Sequence, residues 1–261
     1  MEYKGVFSDI NRDGHYPVRL CGVLHFGCSD MYPLPDRYEQ AYGASDCIAF
    51  ETDMDAIEGY EFISRMHDLG TFDDGMSLKD ALSADTYSEL MAIANELGFS
   101  ETSIAYYRPW YFASLLTNTS LQRTGLASGM GIDAHIHSRA NSDGKETLCL
   151  ETPESQLEIL KTIDGGDADA FMRNTIRELR NTREFSENLL RLWKEGNAQG
   201  LQSLLNENFR ESPEQQSAIL AERNKRWAEV LEKKSRDCSV MAVVGAGHLI
   251  GKGNLGELLM G

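Results

Sequence analysis

Four short apolar runs punctuate the chain. Each leads into a residue that can bind a metal or move a proton. Val18 to Leu24 runs into His25, Cys47 to Phe50 into Glu51, Thr147 to Leu150 into Glu151, and Val240 to Val244 through a glycine turn to His248. Short continuous apolar runs bounded by turn residues predict strands buried on both faces. If the four are parallel neighbours, their carboxyl ends share one sheet edge, where open α/β sheets bind ligands.

Between these runs the pattern changes period. Asp36 is a candidate N-cap for a helix through Tyr42. From about Asp55 to Gly129 the apolar positions recur at helical spacing. Ser77-Leu-Lys-Asp80 has the form of a helix start, and Tyr87, Leu90, Met91, Ala94 and Leu97 form a stripe closed by Gly98. Pro109-Trp110 opens another helix, and Gly131-Ile132-Asp133 one more, through Ala140. Thr152-Pro153-Glu154 is a strong helix start. Residues 166–233 predict three or four helices with breaks near Thr182, Gly196-Asn197 and Ser212-Pro213. A last short helix is expected from about Leu255, and residues 1–17 form a polar lead-in, read as a β-ribbon. The expected fold class is α/β: a central, mostly parallel sheet built from the N- and C-terminal halves, with large helical insertions. The expected organisation is one domain over 1–261, with its core at about 15–55, 145–165 and 238–261. The insertions fall at about 56–144 and 166–237.

Composition narrows the class. Of 261 residues, 41% are hydrophobic and 25% charged, as in ordinary globular proteins. The formal net charge of −16 repels phosphate backbones, so nucleic acid is not an expected partner. Cys21, Cys47 and Cys149 lie inside apolar runs and no C-x-x-C occurs, which fits reduced, buried thiols rather than a disulfide framework. No apolar run reaches the length of a membrane span, and the first residues carry no secretory pattern. The expected location is cytoplasmic if the chain is full length, and periplasmic or extracellular if a leader has been trimmed.

The stretch Val244-Gly-Ala-Gly-His248 follows a strand like a dinucleotide loop, but the third glycine of that fingerprint would fall at Ile250. A sharp turn bringing His248 to the sheet edge accounts better for the glycines. His25 has the same local design, Gly22-Val-Leu-His25, so G-x-x-H occurs near both ends. One histidine after a strand is ordinarily a hydrogen-bonded structural group; two in matching contexts point as much to metal ligands or proton carriers as to structural groups. Glu51 and Glu151 echo each other as Phe-Glu-Thr and Leu-Glu-Thr, and each reads equally as a cap of the segment that follows. Asp133 and His137 share a helix face while His135 does not, so the two histidines cannot chelate one ion from a regular helix; Asp133 itself reads as a cap. Arg223-Asn224 lies among surface charges, where spacing alone predicts a solvated face. H-E-x-x-H, G-x-S-x-G and G-K-[ST] are all absent, so hydrolysis here would use water activated by a metal or a side-chain base.

In order along the chain, Gly22-Val-Leu-His25-Phe-Gly with Tyr32-Pro-Leu-Pro, Gly131-Ile-Asp133-Ala-His135 and Gly144-Lys come first. Leu150-Glu151-Thr-Pro-Glu-Ser-Gln156, Glu222-Arg223-Asn224-Lys-Arg-Trp227-Ala and Val244-Gly-Ala-Gly-His248-Leu complete the set. Together these blocks resemble the TraB/GumN family. That family is similar to the TIKI proteins, which are described as metal-dependent proteases, and to pheromone-shutdown proteins. More distantly it is similar to the erythromycin-esterase and ChaN-like fold group. The resemblance implies that His25 and His248 are paired active-site histidines. It also implies that Glu51 and Glu151 complete the site, and that Arg223 and Asn224 bind substrate or stabilise an oxyanion. His137 stands where an apolar or aromatic residue is expected, and the family's usual leader is missing. The expected function is a metal-dependent hydrolase, a peptidase. His25, His248 and Glu51 are the ligands of manganese, cobalt or zinc, and the other glutamate is a base. The partner is a peptide or small-molecule substrate. A metal-free esterase using His25 with a glutamate, and a non-catalytic peptide- or haem-binding protein, are the alternatives.

Overall fold

The computed structural model describes residues 3–163, 166–208 and 213–261. Five strands form one sheet in the order β1-β2-β5-β3-β4: β1 Val6–Ile10, β2 Val18–Val23, β3 Cys47–Phe50, β4 Glu146–Cys149 and β5 Val240–Gly245. β1 runs antiparallel to β2 and the other pairings are parallel. The helices are α1 Asp36–Gly43, α2 Met54–Glu58, α3 Tyr60–Leu69, α4 Ala84–Leu97, α5 Glu101–Ile104, α6 Pro109–Arg123 and α7 Ile132–Asp143. They continue with α8 Pro153–Thr162, α9 Ala168–Arg180, α10 Thr182–Glu195, α11 Ala198–Asn208, α12 Pro213–Lys234 and α13 Leu255–Met260. The expected mixed α/β class with a mostly parallel sheet is what the chain adopts. Among the described residues no helix is long and apolar enough to cross a membrane.

The chain divides into two compact units. The first comprises residues 1–54, 126–152 and 185–261 and holds the whole sheet; the second comprises residues 55–125 and 153–184. In the first, alternate strand residues pack to opposite faces, as the pleat requires. Cys21, Val23, Ile48, Phe50, Met241 and Val243 meet Tyr38 and Tyr42 of α1, Ile132 and Ile136 of α7, and Trp193 of α10. Leu20, Ala49, Val240, Ala242 and Val244 meet Trp227 and Leu231 of α12 and Leu255 and Leu259 of α13. β5 is the centre strand and every one of its residues is buried. The second unit has its own core, in which Leu78, Leu90, Ile104, Phe112 and Leu116 pack with Met172 and Ile176.

Some expected boundaries shift. Pro35, not Asp36, occupies the cap position of α1, and Asp36 lies in its first turn. The Ser77 hydroxyl and backbone bond the Asp80 carboxylate in a self-contained turn. The helix itself starts at Ala84, capped by Ser83. The expected breaks at Thr182 and Gly196-Asn197 separate α9, α10 and α11; at Ser212-Pro213, Ser212 lies outside the described residues and Pro213 opens α12. All five cysteines are free, but Cys149 is exposed on the edge strand β4 rather than buried, and Cys28 and Cys238 are half-buried.

Candidate functional site

Parallel pairing sets the level of every strand end. Val23 lies beside Gly245, and Phe50 beside Val243. His25, Glu51, Glu151 and His248 therefore leave the sheet along one edge. Beyond β2, the backbone N–H of Ile132 donates to Leu24 O at 3.1 Å, while Gly27 and Ala127 exchange both backbone hydrogen bonds at 2.9 and 3.0 Å. The His25 segment is thus fastened to the entry of α7. A Cβ on Gly27 would collide with the Met130 carbonyl, which requires glycine there. Beyond β5, a single turn of 3₁₀ helix, Ala246–Leu249, carries His248.

Both imidazoles are held by their outer nitrogens. Asp133 Oδ2 lies 2.6 Å from His25 Nδ1, and Asn224 Oδ1 lies 2.6 Å from His248 Nδ1. A carboxylate or amide oxygen accepts, so each Nδ1 carries the proton and each Nε2 is turned inward. The inward target is shared: Glu51 Oε1 is 3.5 Å from His25 Nε2 and 3.9 Å from His248 Nε2. The same oxygen accepts the Gly245 N–H at 2.7 Å.

Arg223 projects from α12 between the two glutamates. Its Nη2 donates to Glu51 Oε2 at 2.6 Å and to Glu151 Oε1 at 2.7 Å, and its Nε donates to Glu151 Oε2 at 3.1 Å. Trp227 Nε1 donates to the same Glu151 oxygen at 3.3 Å. One helical turn separates Arg223 from Trp227, so the guanidinium lies over the indole at 4.5 Å, and that indole stacks on the His248 ring at 4.2 Å. The solvated face expected of Arg223-Asn224 is not found: the Arg223 side chain is 14% exposed and Asn224 is buried.

The electrostatics differ from group to group. Burial opposes ionisation of Glu51, but the His25 hydrogen bond and the charges of His25, His248 and Arg223 hold its carboxyl well below the usual carboxylate range. Burial also opposes protonation of His25. The hydrogen bonds to Asp133 and Glu51 outweigh it and raise the imidazole well above its ordinary value, in keeping with a side chain that is 47% open to solvent. Burial pushes His248 down to about 4, with Arg223 and His25 adding to the effect against Glu51.

The structure brings His25, Glu51, Glu151, Arg223, Asn224 and His248 into one connected network. His135 is exposed and its ring lies tilted against Tyr32, and His137 packs edge-on against Phe50. Asp133, read from the sequence as a cap, instead holds His25, while Gly131 occupies the cap position. Its occurrence in the Gly131-Ile-Asp133-Ala-His135 block was the available signal. The donor set His25, His248 and Glu51 suits a divalent cation in ligand type, with both Nε2 atoms facing inward. Glycine at 245 lets the backbone approach these groups closely: a Cβ there would stand 2.8 Å from His25 Nε2 and 3.2 Å from Glu51 Oε1. Among the described residues no group of three or more histidine, cysteine or acidic side chains is placed to hold a metal ion, so the fit of this donor set is one of ligand type only.

Fold and site together define an α/β protein whose sheet edge carries two oriented imidazoles around one carboxylate. The chain belongs to the TraB/PrgY/gumN family, whose model matches residues 6–260. It is 26% identical over 251 residues to the uncharacterized protein YbaP of Escherichia coli (strain K12), covering 96% of this chain and 90% of that protein. The uncharacterized protein YbaP of Shigella flexneri matches to the same extent, 26% over 251 residues. No solved structure matches the chain significantly.

Proposed function

We propose that the chain is a metal-dependent hydrolase acting on peptide bonds. The observation that carries this reading is the convergence of two inward-facing Nε2 atoms on Glu51 Oε1, which the side-chain-free Gly245 backbone approaches closely. His25, His248 and Glu51 would hold the cation. A bound divalent ion supplies Lewis acidity and lowers the pKa of its water from about 16 to near 7. Asn224 and Asp133 keep the two rings in register. Glu151, with both oxygens engaged and its side chain 4% exposed, is a holder of Arg223 and not a free base. Glu51 is therefore the carboxylate at the reacting centre. Arg223 keeps positive charge beside it, where negative charge builds on an attacked carbonyl. The peptide substrate class rests on the family's similarity to the TIKI proteins.

The 2.6 Å contact between Asp133 and His25 favours one second reading, in which His25 acts without metal as a base oriented by an acid. One experiment separates the two. Protein stripped with a chelator is assayed on a peptide and ester panel, then supplied with manganese, cobalt or zinc. Loss of hydrolysis on stripping and its return with metal is the expected result. Full activity in protein shown by elemental analysis to be metal-free would overturn the proposal.

A further inference from the structure

Asp133 stands out because its carboxylate is buried yet receives so little. Its residue exposure is 8%; Oδ2 meets His25 Nδ1 at 2.6 Å, while Oδ1 has no hydrogen-bond partner among the described residues. Taking a carboxylate out of water and leaving one oxygen unpartnered is costly. Its place in the first turn of α7 offsets part of that cost, because a helix N-terminus favours negative charge. The local backbone is also shaped around it: a Cβ on Gly131 would lie 2.5 Å from Asp133 Oδ1 and 2.5 Å from the His25 carbonyl. Glycine at 131 thus lets the carboxylate and the His25 backbone share one tight space.

The other imidazole is treated differently. Its holder is the neutral Asn224, whose amide nitrogen is in turn committed to Gly253 O at 3.2 Å. Both holders aim an Nε2 at Glu51, but one is an anion with a single strong donor to spend its charge on. We infer that Asp133 is a positioning residue for His25. Its buried carboxylate locks the ring with Nε2 toward Glu51 and makes that nitrogen the stronger electron-pair donor of the two. This inference rests on the reading that His25 works through Nε2.

The test uses the full chain, metal-free, with ¹⁵N-labelled histidine. In the wild type a downfield, exchange-protected Nδ1–H resonance is expected for His25. Asp133→Ala should abolish it. Asp133→Asn, nearly the same shape but uncharged, should retain it and move it upfield. Asn224→Ala should leave it in place. Isothermal titration with Mn²⁺ is the second readout: affinity should fall about 10–100-fold in Asp133→Ala, the usual cost of losing an outer partner of a ligating histidine, and by less in Asp133→Asn. An unchanged His25 resonance in Asp133→Ala, or wild-type Mn²⁺ affinity in both variants, would overturn the inference. If the wild type itself binds no manganese, cobalt or zinc, the metal-dependent function fails while the resonance still decides the role of Asp133.

Discussion

His25 and His248 end matching G-x-x-H stretches and face one oxygen of Glu51, yet their side chains are 47% and 4% exposed. His25 leans on a loop-to-helix junction and opens to solvent. His248 is closed over by α12, which contributes Asn224 to its Nδ1, Trp227 to its ring face and Arg223 to its carboxylate neighbour. The burial that lowers the basicity of His248 is set by core packing, whereas that of His25 is set by two carboxylates. The same four-residue pattern thus yields one ring that belongs to the core and one that belongs to the surface. The His248 side should repay disruption in lost stability, and the His25 side in lost chemistry.

The largest effect should come from Arg223→Ala. It strips the cation from Glu51 and Glu151, whose side chains are 12% and 4% exposed. Removing one partner of a buried ion pair typically costs about 3–5 kcal/mol, because the remaining charge stays buried. On the other side, Asp133→Asn exchanges a charge-assisted hydrogen bond for a neutral one and should cost about 1 kcal/mol. Urea unfolding of both metal-free variants at pH 7 measures the contrast. Equal losses would dissolve the distinction between the two sides.

Stability against pH offers a second cut. An unfolded histidine takes up a proton near its ordinary value of 6.5, whereas folded His248 refuses one until about 4. Between those values the unfolded chain binds more protons, so stability falls as pH falls, by about 3 kcal/mol from this group. His25 runs the other way. Its folded value is raised, so its contribution is complete below about 6.5 and is lost as pH rises through the folded value. The depressed Glu51 adds to the acid loss, its contribution fading as pH falls through the carboxylate range. Metal-free wild type should therefore be most stable near about pH 6.5, and His248→Gln should flatten the decline between about 6.5 and 4. Urea midpoints from about pH 3.5 to about pH 9 give the profile; an unaltered acid limb in the variant refutes the assignment.

What could be read from the sequence follows the range of the forces involved. β3 and β5 are buried on both faces and appear as unbroken apolar runs, β2 is interrupted only by the half-buried Arg19, and the observed ends of all three lie within a residue of the expected ones. Gly196, with φ +67°, marks a helix end that other residues resist, and it was legible for that reason. Ser77 misled because its hydroxyl spends itself on Asp80 within one turn, while Ser83, six residues on, accepts the Thr86 N–H instead. The site divides similarly. His25, Glu51, Glu151 and His248 are visible because each ends an apolar run. Arg223 and Asn224 sit in a charged helical stretch, and only partners such as Glu51, 172 residues away, turn them inward. Asp133 is hidden by the same long reach, 108 residues to His25.

The finest test of the comparison sets a small loss of stability against a loss of rate, through the glycines that open the two stretches. Gly22 sits within β2 against Val6, where a Cβ would come within 2.9 Å of the valine Cβ. Its carbonyl accepts the Tyr38 hydroxyl at 2.7 Å and Trp193 Nε1 at 2.8 Å, all inside the core. Gly245 has φ −52° and ψ 136°, a conformation open to any residue, so its smallness answers no backbone need. What an added methyl would meet is His25 Nε2 and Glu51 Oε1. Gly22→Ala should therefore cost about 1–2 kcal/mol of stability by overpacking while the folded fraction keeps its kcat/KM. Gly245→Ala should melt within a few degrees of the wild type, yet lose about 100-fold in kcat/KM, since displacing the reacting groups by about 1 Å is enough for that. Thermal melts and steady-state rates on both variants separate the outcomes. If Gly245→Ala unfolds early and Gly22→Ala loses its activity while keeping its melting temperature, each glycine follows the histidine of its own stretch and not the atoms its added methyl would meet.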